Sequence, residues 1–424
     1  MIEIQPATKI KAEVAVPGSK SITQRALIAA ALADGESTLL GPLESEDTQY
    51  TAAALQQMGA TVVREKDKWT VQGNGGRIAT PDTEIFLGNN GTATRFLTSV
   101  AALGAGTFQI NGDERMAERP ILPLMQALKG WGADITSIND NGCPPLLIKA
   151  NGLSGGKTIL PEGKSSQYLS SLLLVGPYAR QEAELDVQGE MLSLPYVIMT
   201  LAVMESFGIR VEANEALNSY KIPRGIYRAG EYAIEGDASN ASYFYAAAAV
   251  TGGEVTVPNV PVPSMQGDAA FVALLARMGC QVHKTADGLT ISGPGELKGI
   301  TIDMGDMPDV VPTLAVVASQ AKGRTVIKNI AHLRIKECDR LHVMAVELAK
   351  MGARVQELDD TLIIEGKDPD APIHGAEINT YNDHRIAMSF AVAGLAVPGV
   401  KVLGEECVAK SFPDFWERFA LLYG

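Results

Sequence analysis

The chain has 424 residues, of which 46% are hydrophobic and 20% charged, and its formal net charge is −13. This length is ample for two hydrophobic cores, and the acidic balance argues against a nucleic-acid-binding protein, which needs a basic surface. No run of about 18 apolar residues occurs and the start at Met1 lacks a basic-then-apolar leader, so we expect neither a membrane-spanning nor a secreted protein.

A recurring junction is the main pattern along the chain: six times a strand-like run ends in a turn and a helix follows. The turns are spaced 69–77 residues apart. Such a period is typical of a repeat protein. The turn residues are Gly18, Gly88, Gly163, Gly236, Gly305 and, with Asn in place of Gly, Asn382.

Each repeat contains a second helix that ends at a glycine, the residue expected at a left-handed helix stop. These glycines are Gly59, Gly132, Gly208, Gly279 and Gly352. Two short alternating runs follow each stop, for example residues 61–63 and 69–71, and they predict a β-hairpin. Each repeat is therefore a predicted βαβαββ unit, and its first, more apolar helix is expected to be the buried one.

The two ends of the chain indicate how the repeats are grouped. The sixth repeat stops at residue 424, where its closing hairpin is due, and residues 2–5 form a strand-like run that replaces it. We therefore predict an α/β protein with two similar lobes of three repeats each, residues 19–235 and residues 1–18 plus 236–424. Six independent units are the alternative, which is disfavoured because a single repeat would struggle to cover both of its faces.

The helix starts of the first half are candidate anion sites, because backbone N–H groups there carry partial positive charge. Lys20, Ser21 and Arg25 follow the first turn. Residues 88–95 contain two glycines that let a ligand approach the main chain. Residues 163–168 offer hydroxyls, an amide and one cation, which suits a sugar-like ligand. For each segment alone, helix capping is an equally good explanation.

The second half carries the acid/base candidates. Asp309 is either a helix N-cap or a partly buried base. The segment 334–340 has five formal charges in seven residues, and a surface lattice of ion pairs is the ordinary explanation of such a run. His384 and Arg385 stand before an almost wholly apolar helix, where polar side chains need a functional reason.

One cause explains all these polar junctions: we predict that the helix starts of both lobes face a shared interlobe cleft that is the active site. Each cation there is worth roughly 4 kcal/mol against an anion at about 4 Å and an effective dielectric near 20, before desolvation costs. Two phosphorylated substrates are therefore plausible for this acidic chain. The seven cations are Lys20, Arg25, Arg119, Lys336, Arg340, Arg385 and Lys410.

The four cysteines show neither CxxC nor Cys/His ligand spacing. We therefore expect a reducing, cytoplasmic location without disulfides or zinc. These residues are Cys143, Cys280, Cys338 and Cys407.

The polar segments, taken together and in order, resemble the 5-enolpyruvylshikimate-3-phosphate synthase family along the whole chain. The resemblance implies transfer of the enolpyruvyl group of phosphoenolpyruvate to the 5-hydroxyl of shikimate 3-phosphate, with release of phosphate, in aromatic amino acid biosynthesis. It also implies helices bundled inside each lobe, an inside-out α/β barrel, no metal or organic cofactor, and small-molecule partners only; we expect a monomer. The segments are residues 17–25, 87–95, 118–120, 165–167, 308–309, 336–340, 382–385 and 410–413.

The resemblance also implies roles for individual residues. Shikimate 3-phosphate is expected at Lys20, Ser21, Arg25, Ser165, Ser166, Gln167, Ser193, Tyr196, Asp309, His332 and Lys336. Phosphoenolpyruvate is expected at Lys20, Gly91, Arg119, Gln167, Arg340, Arg385 and Lys410. Asp309 and Glu337, with Lys20 sharing the work, are the candidates for proton transfer, and His384 supports them.

Three comparisons bear on these expectations. Asn90, Thr94 and Phe96 depart from the usual family pattern beside the expected phosphoenolpyruvate site, where the family's inhibitor glyphosate also binds.

The nearest rival is the related transferase that acts on UDP-N-acetylglucosamine, which is expected to carry a reactive cysteine in the loop that here spans residues 113–119. This loop has no cysteine, which disfavours the rival. A scaffolding repeat protein would need basic or apolar outer faces, which the charge does not suggest.

Overall fold

The computed structural model describes residues 1–163, 165–285, 288–368 and 370–424. Lys164, the single cation of the third predicted junction, lies outside the described residues. The protein is a mixed α/β structure, which confirms the predicted class at that level. The chain divides into two compact units: the N-terminal unit, Gly18–Ile234, and the C-terminal unit, Met1–Pro17 together with Glu235–Gly424.

The strands before residue 235 divide between the two units. The first 17 residues contain β1 (Ile2–Glu3) and β2 (Lys11–Glu13). The N-terminal unit contains β3 (Asp34–Leu40), β4 (Thr61–Glu65), β5 (Lys68–Asn74), β6 (Ile85–Phe86), β7 (Ala105–Asn111), β8 (Asp134–Ser137), β9 (Leu146–Asn151), β10 (Gly156–Leu160), β11 (Ala183–Val187), β12 (Glu212–Ala213), β13 (Ser219–Ile222) and β14 (Glu231–Ala233).

Three four-stranded sheets form from β3 to β14, in the orders β14-β3-β5-β4, β6-β7-β9-β8 and β10-β11-β13-β12. In each sheet the last two strands of the order are an antiparallel hairpin, so the hairpins predicted after Gly59, Gly132 and Gly208 are confirmed. The first two strands of each order are parallel. In two sheets a helix connects them, between β6 and β7 and between β10 and β11, while in the third sheet β14, at the end of the unit, pairs with β3.

Six α-helices are found among the described residues of this unit: α1 (Lys20–Leu32), α2 (Glu46–Gln57), α3 (Gly91–Ala102), α4 (Leu122–Gly130), α5 (Ser166–Val175) and α6 (Leu194–Ser206). Single 3₁₀ turns occur at Met116–Glu118 and Gly176–Tyr178. Helix α1 is buried from Ile22 to Leu32, whereas α2 is buried on one face only. The prediction that the more apolar helix is the buried one is confirmed for this pair.

The C-terminal unit continues with β15 (Glu254–Val257), β16 (Gln281–Thr285), β17 (Gly288–Ser292), β18 (Thr301–Asp303), β19 (Arg324–Lys328), β20 (Arg354–Glu357), β21 (Leu362–Glu365), β22 (Glu377–Asn379) and β23 (Lys401–Leu403). Its sheets have the orders β16-β17-β15-β2, β18-β19-β21-β20 and β1-β23-β22. The first 17 residues thus supply a strand to two sheets: β2 lies parallel to β15, and β1 lies antiparallel to β23.

The helices of this unit are α7 (Ala238–Thr251), α8 (Phe271–Arg277), α9 (Val311–Ser319), α10 (Arg340–Lys350), α11 (His384–Ala396) and α12 (Phe415–Ala420). Its 3₁₀ turns are Gly267–Ala270, Pro308–Val310, Ala331–Ile335, Glu405–Lys410 and Leu421–Tyr423. Helices α7, α9 and α11 pack against one another and are buried along almost their whole length. They form the core of the unit because their sequences are apolar on all sides.

Backbone geometry explains the glycines of the repeat. All five glycines predicted as helix stops have a positive φ, between +85° and +110°, so that prediction is confirmed. The junction residues differ among themselves. Gly18 has an ordinary φ, but a Cβ there would lie 2.0 Å from the carbonyl oxygen of Gly41. Asn382 has a φ of +55°, which Asn tolerates better than most residues.

All four cysteines are buried and unpaired with one another. Among the described residues, no helix is long and apolar enough to cross a membrane.

Candidate active site

Arg25 is a buried cation with neutral partners. Its side chain is 1% exposed. Its Nε donates to Thr200 Oγ1 at 2.7 Å, and its two Nη groups donate to the backbone oxygen of Ser21 and to Ser170 Oγ. The ring of Tyr196 lies 5.9 Å from the guanidinium carbon. Burial lowers the pKa of Arg25 to about 10, which leaves the group charged at neutral pH. Such a charge favours an anion as its missing partner.

Lys20 begins α1, next to Ser19, which precedes the helix. Its Nζ lies 3.1 Å from Asp47 Oδ2, and the Asp47 side chain is only 3% exposed. Asp47 stands in the first turn of α2, where a carboxylate is favoured by the helix dipole. The hydroxyl of Ser19 makes no capping bond, so the capping explanation for Ser19 is wrong.

Two further buried guanidinium groups, those of Arg119 and Arg95, lie at the start of α3. Arg119 is 3% exposed and its Nη1 donates to the backbone and side-chain oxygens of Asn89. Arg95, also 3% exposed, donates to the carbonyl oxygens of Gly91 and Pro120. Burial, and then the charge of Arg119, lower the pKa of Arg95 to about 10. Because each of these like charges disfavours the other, both favour an anionic partner.

Gly91 is required by the position of Arg119. A Cβ at Gly91 would lie 2.4 Å from Arg119 Nη2, so any side chain there would displace the guanidinium. Asn90 is the N-cap of α3 and accepts from the backbone N–H of Ala93 at 2.9 Å. Its amide also donates to the backbone oxygen of Asp47 at 2.6 Å. These bonds account for the polar residue at position 90.

The third junction lies in the same unit. Gln167 donates to Thr92 Oγ1 of α3 at 3.1 Å, which connects the second and third junctions. Ser165 precedes α5 without a side-chain cap bond, and Ser166 is buried. Ser193 precedes α6 with a φ of +59°, a left-handed conformation that is uncommon for serine and is often found at binding sites.

A carboxylate and guanidinium cluster forms the corresponding group in the C-terminal unit. Asp309 accepts from Arg385 Nη2 at 2.7 Å and from Arg340 Nη1 at 3.1 Å. Arg340 also contacts Glu337 at 2.8 Å and Asp383 at 2.7 Å. Burial opposes its charge, but Asp383, Glu337 and Asp309 outweigh burial and hold the pKa of Arg340 above its ordinary value. Asp309 lies inside a 3₁₀ turn whose N-cap is Met307, so the N-cap alternative for Asp309 is wrong.

The charged run 334–340 divides into two environments. Arg334 is 30% exposed and pairs with Asp339 and Glu357, an ordinary surface lattice. Arg340 is 1% exposed and belongs to the buried cluster. The surface-lattice explanation is therefore confirmed for Arg334, whereas Arg340 lies in a buried charge cluster.

His332 is a buried imidazole, 5% exposed, with no hydrogen-bond partner for either nitrogen among the described residues. Burial, and then the nearby charge of Lys336, lower its pKa to about 3, so the ring is neutral. A neutral buried imidazole without partners favours a ligand that hydrogen-bonds to it. His384 is fully buried at the start of α11, and Lys410 ends a 3₁₀ turn and is buried as well.

The predicted residues are divided between the two units. The group of the N-terminal unit is Lys20, Ser21, Arg25, Gly91, Arg119, Ser165, Ser166, Gln167, Ser193 and Tyr196. The group of the C-terminal unit is Asp309, His332, Lys336, Glu337, Arg340, His384, Arg385 and Lys410.

Sequence reasoning missed several partners of these residues. Asp47 neutralises Lys20 and Thr200 orients Arg25, but nothing in their local sequence indicates this. Asp383 stands in the polar segment 382–385 and has no predicted role of its own, although it neutralises Arg340. Asp268 is 3% exposed and accepts a hydrogen bond from Ser239. Burial, and then the charge of Asp309, raise its pKa to about 7.

Among the described residues, no group of three or more His, Cys, Asp or Glu side chains is placed to hold a metal ion.

Comparisons with known proteins agree along the whole chain. The sequence profile of the family described as EPSP synthase (3-phosphoshikimate 1-carboxyvinyltransferase) matches residues 4–419. A 3-phosphoshikimate 1-carboxyvinyltransferase from Syntrophobacter fumaroxidans is 45% identical over 420 residues, which is 99% of each chain. One from Nostoc punctiforme is 42% identical over 97% of this chain and 96% of its own. A solved structure of EPSP synthase from Acinetobacter baumannii matches with a TM-score of 0.81 at 30% identity, over 98% of this chain and 96% of that one.

Proposed function

The chain belongs to the EPSP synthase family and transfers the enolpyruvyl group of phosphoenolpyruvate to shikimate 3-phosphate, and we propose that its buried cations are the groups that bind the two substrates. The observation that carries this proposal is Arg25. A buried guanidinium whose described partners are all neutral is costly in the free protein, and an anionic phosphate would compensate it.

Shikimate 3-phosphate, in this proposal, is bound mainly around Arg25. Its phosphate contacts the cation and nearby hydroxyls, and the neutral ring of His332 hydrogen-bonds to its polar groups. The remaining contacts come from Lys20, Ser21, Ser165, Ser166, Gln167, Ser193, Tyr196, Asp309 and Lys336.

Phosphoenolpyruvate is bound mainly at Arg119, where the absence of a side chain at Gly91 leaves the guanidinium in place. Arg340 and Arg385 contribute the charges of the other unit. They are already held by carboxylates in this structure, so an anionic substrate would exchange one partner for another rather than order a free side chain. The remaining contacts come from Lys20, Gln167 and Lys410.

The reaction proposed at this site is an addition followed by an elimination. A base removes the proton of the 5-hydroxyl, the oxygen forms a bond to C2 of phosphoenolpyruvate, and an acid protonates the methylene carbon C3. The tetrahedral adduct then loses phosphate from C2 and a proton from C3, which restores the enol double bond. Asp309 and Glu337, with Lys20 and supported by His384, are the proposed proton carriers, and each such transfer contributes about two to four powers of ten.

The finer architecture belongs to the same proposal. Three sheets in each unit and three mutually packed buried helices in the C-terminal unit support two similar lobes, each of three βαβαββ repeats with the helices inside. Four unpaired cysteines support a reducing, cytoplasmic location. We propose a monomer, because one chain supplies every residue of both groups.

A phosphate-release assay with phosphoenolpyruvate and each acceptor tests the assignment. We expect release with shikimate 3-phosphate and none with UDP-N-acetylglucosamine, because residues 113–119 contain no cysteine. Activity with UDP-N-acetylglucosamine alone, or with neither acceptor, would contradict the assignment.

A further inference from the structure

A cavity of about 990 Å³ lies within the C-terminal unit, where α7, α9 and α11 end. Its wall includes Val250 and Thr251 of α7, Gln320 just after α9, and Ala396 of α11. This volume is in the range of small-molecule sites. Some helix-end carbonyl groups here are already bonded, because the N–H of Lys9 donates to the carbonyl oxygen of Thr251 at 3.0 Å and that of Ala7 to Leu395 at 2.9 Å. Among the described residues, the carbonyl groups of Val250 and Ala396 have no donor, so they leave hydrogen-bond acceptors at the cavity wall.

The cavity has an apolar floor and a charged rim. Ala249, Leu297 and Val397 line it and are buried, whereas three lysines at the rim are exposed. The charged lining residues among those described are Lys9, Lys322, Lys367, Glu296 and Asp368. Lys322 pairs with Glu296 at 3.6 Å and Asp368 pairs with Arg354 at 3.0 Å, so Lys9 and Lys367 leave the rim with a net positive charge. This rim favours a ligand with one anionic group.

The N-terminal unit shows what covers such helix ends. Tyr178 Oη donates to the carbonyl oxygen of Leu32, the last residue of α1, at 2.5 Å. Tyr227 Oη donates to the carbonyl oxygen of Leu174 near the end of α5, at 2.9 Å. The two rings lie 5.7 Å apart. Hydroxylated aromatic rings thus satisfy the helix carbonyls there, whereas no aromatic side chain is among the described residues that line the cavity of the C-terminal unit.

We propose that this cavity binds a small aromatic carboxylate that carries a hydroxyl group. The ring lies on the apolar floor, as Tyr178 and Tyr227 lie at the helix ends of the other unit. The hydroxyl donates to the carbonyl groups at the ends of the helices, and the carboxylate contacts the lysines of the rim.

This site is separate from the residues proposed for the enolpyruvyl transfer. Those residues stand at helix starts, such as His384 and Arg385 of α11, whereas the cavity contains Ala396 at the opposite end. A helix of this length spans about 20 Å at 1.5 Å per residue. The proposal therefore stands or falls independently of the substrate assignment.

Calorimetric titration of the whole protein with 4-hydroxybenzoate tests the proposal, and benzoate tests the hydroxyl. We expect saturable binding at one site, and about 2- to 10-fold weaker binding of benzoate, since a single hydrogen bond is lost. Absence of saturable binding of 4-hydroxybenzoate, or binding of benzoate that is equally tight, would overturn it.

Two variants locate the site. Gly295 lines the cavity, has an ordinary φ and would meet no atom within 4 Å of an added Cβ, so Gly295→Trp is expected to fold and to block binding. Gly230→Trp is the matched control, because Gly230 has the same freedom and does not line the cavity. Thermal melts establish that both proteins are folded.

The double variant Lys322→Ala/Lys367→Ala removes two exposed charges of the rim and carries little risk to folding. We expect it to weaken 4-hydroxybenzoate binding about 10-fold or more, while Lys328→Ala, an exposed lysine outside the cavity, leaves binding unchanged. Unchanged affinity in the double variant would place the ligand elsewhere and refute the proposal, whatever the behaviour of the tryptophan variant.

Discussion

Arg25 and Arg334 differ in burial and in the charge of their partners, although both stand in polar segments of the sequence. Arg25 is 1% exposed and bonds only to neutral groups, while Arg334 is 30% exposed between two carboxylates. The first must lose its hydration without a compensating charge, and the second keeps much of its hydration. Removing Arg25 should therefore affect substrate binding, whereas removing Arg334 should not.

Replacing Arg25 by Met should weaken binding of shikimate 3-phosphate about 10- to 150-fold, since a charge-assisted hydrogen bond is worth about 1.5–3 kcal/mol. The Tm should stay the same or rise, because a desolvated cation is replaced by an apolar side chain of similar length. Titration of the substrate and thermal melts measure the two effects. Arg334→Ala is the control, with unchanged affinity; equal affinity in both variants would remove Arg25 from the site.

Asp309→Ala should fold and lose most turnover, with kcat lower by about two to four powers of ten, if this carboxylate transfers a proton. Arg340 keeps Glu337 and Asp383 as partners but Arg385 loses the carboxylate of Asp309, so a thermal melt must first establish that the variant is folded. Steady-state kinetics separate kcat from the KM values. Asp306→Ala, which removes an exposed carboxylate nearby, is the control. A variant with normal kcat would reject the catalytic role.

His332 should make stability depend on pH. Its pKa is lowered from 6.5 to about 3 in the folded state, so between these values the unfolded chain binds a proton that the folded chain does not. Stability is therefore lost as pH falls from about 6.5, by at most about 1.4 kcal/mol per pH unit.

Urea unfolding of His332→Asn at pH 7.5 and 5.0 measures this contribution. The variant should lose about 1–2 kcal/mol less than the natural protein between these pH values. His283→Asn, which changes an exposed histidine of β16, should keep the natural dependence. An unaltered pH dependence in His332→Asn would show that the imidazole is not buried as a neutral group.

Helix starts are the elements that carry the proposed chemistry, and two aspartates at helix starts differ in what their surroundings make them do. Asp339 caps α10 through the N–H of His342 and is 35% exposed. Asp383 caps α11 through the N–H of Arg385, is fully buried, and also holds the guanidinium of Arg340. Both aspartates therefore cap a helix, but Asp383 in addition stabilises a buried cluster of charges.

Asp383→Ala should destabilise the protein by about 3–5 kcal/mol, because it leaves a buried guanidinium with fewer compensating charges. Asp339→Ala should cost about 1 kcal/mol, the usual value of an N-cap. Denaturant unfolding midpoints compare the two variants directly. Equal losses would mean that the contact with Arg340 adds nothing to the cap.

At the scale of the whole molecule, the two units differ in whether they are built from one continuous segment of the chain. The N-terminal unit is one continuous segment that contains all strands of its three sheets. The C-terminal unit depends on the first 17 residues, since β1 and β2 complete two of its sheets and Ile4 is buried in its core. Without them, β15 and β23 would expose unpaired edges.

A fragment of residues 18–234 should therefore fold alone, whereas residues 235–424 should remain unfolded or aggregate. Joining residues 1–17 to the end of the second fragment through a flexible linker should restore folding, because both strand positions are then filled. Circular dichroism and cooperative thermal melts distinguish these cases. Cooperative unfolding of residues 235–424 alone would show that β1 and β2 are dispensable.

The sequence by itself determined what local chemistry controls. Glycine is the residue that enters the left-handed region most readily, so the five helix stops and the hairpins after them were readable. The high apolar content of α1 identified it as a buried helix, and the order of polar segments identified the family. Helix stops, hairpins and apolar helices depend on residues close together in the chain, so the sequence alone is enough to predict them.

Only the tertiary structure decided which charges are buried and what compensates them. Lys20 and Asp47, and likewise Arg340 and Asp383, are far apart in sequence and meet only when different helices pack. The same packing separates Arg334 from Arg340, only six residues apart, into surface and core. Burial and electrostatic partners depend on contacts across elements, and sequence position does not contain them.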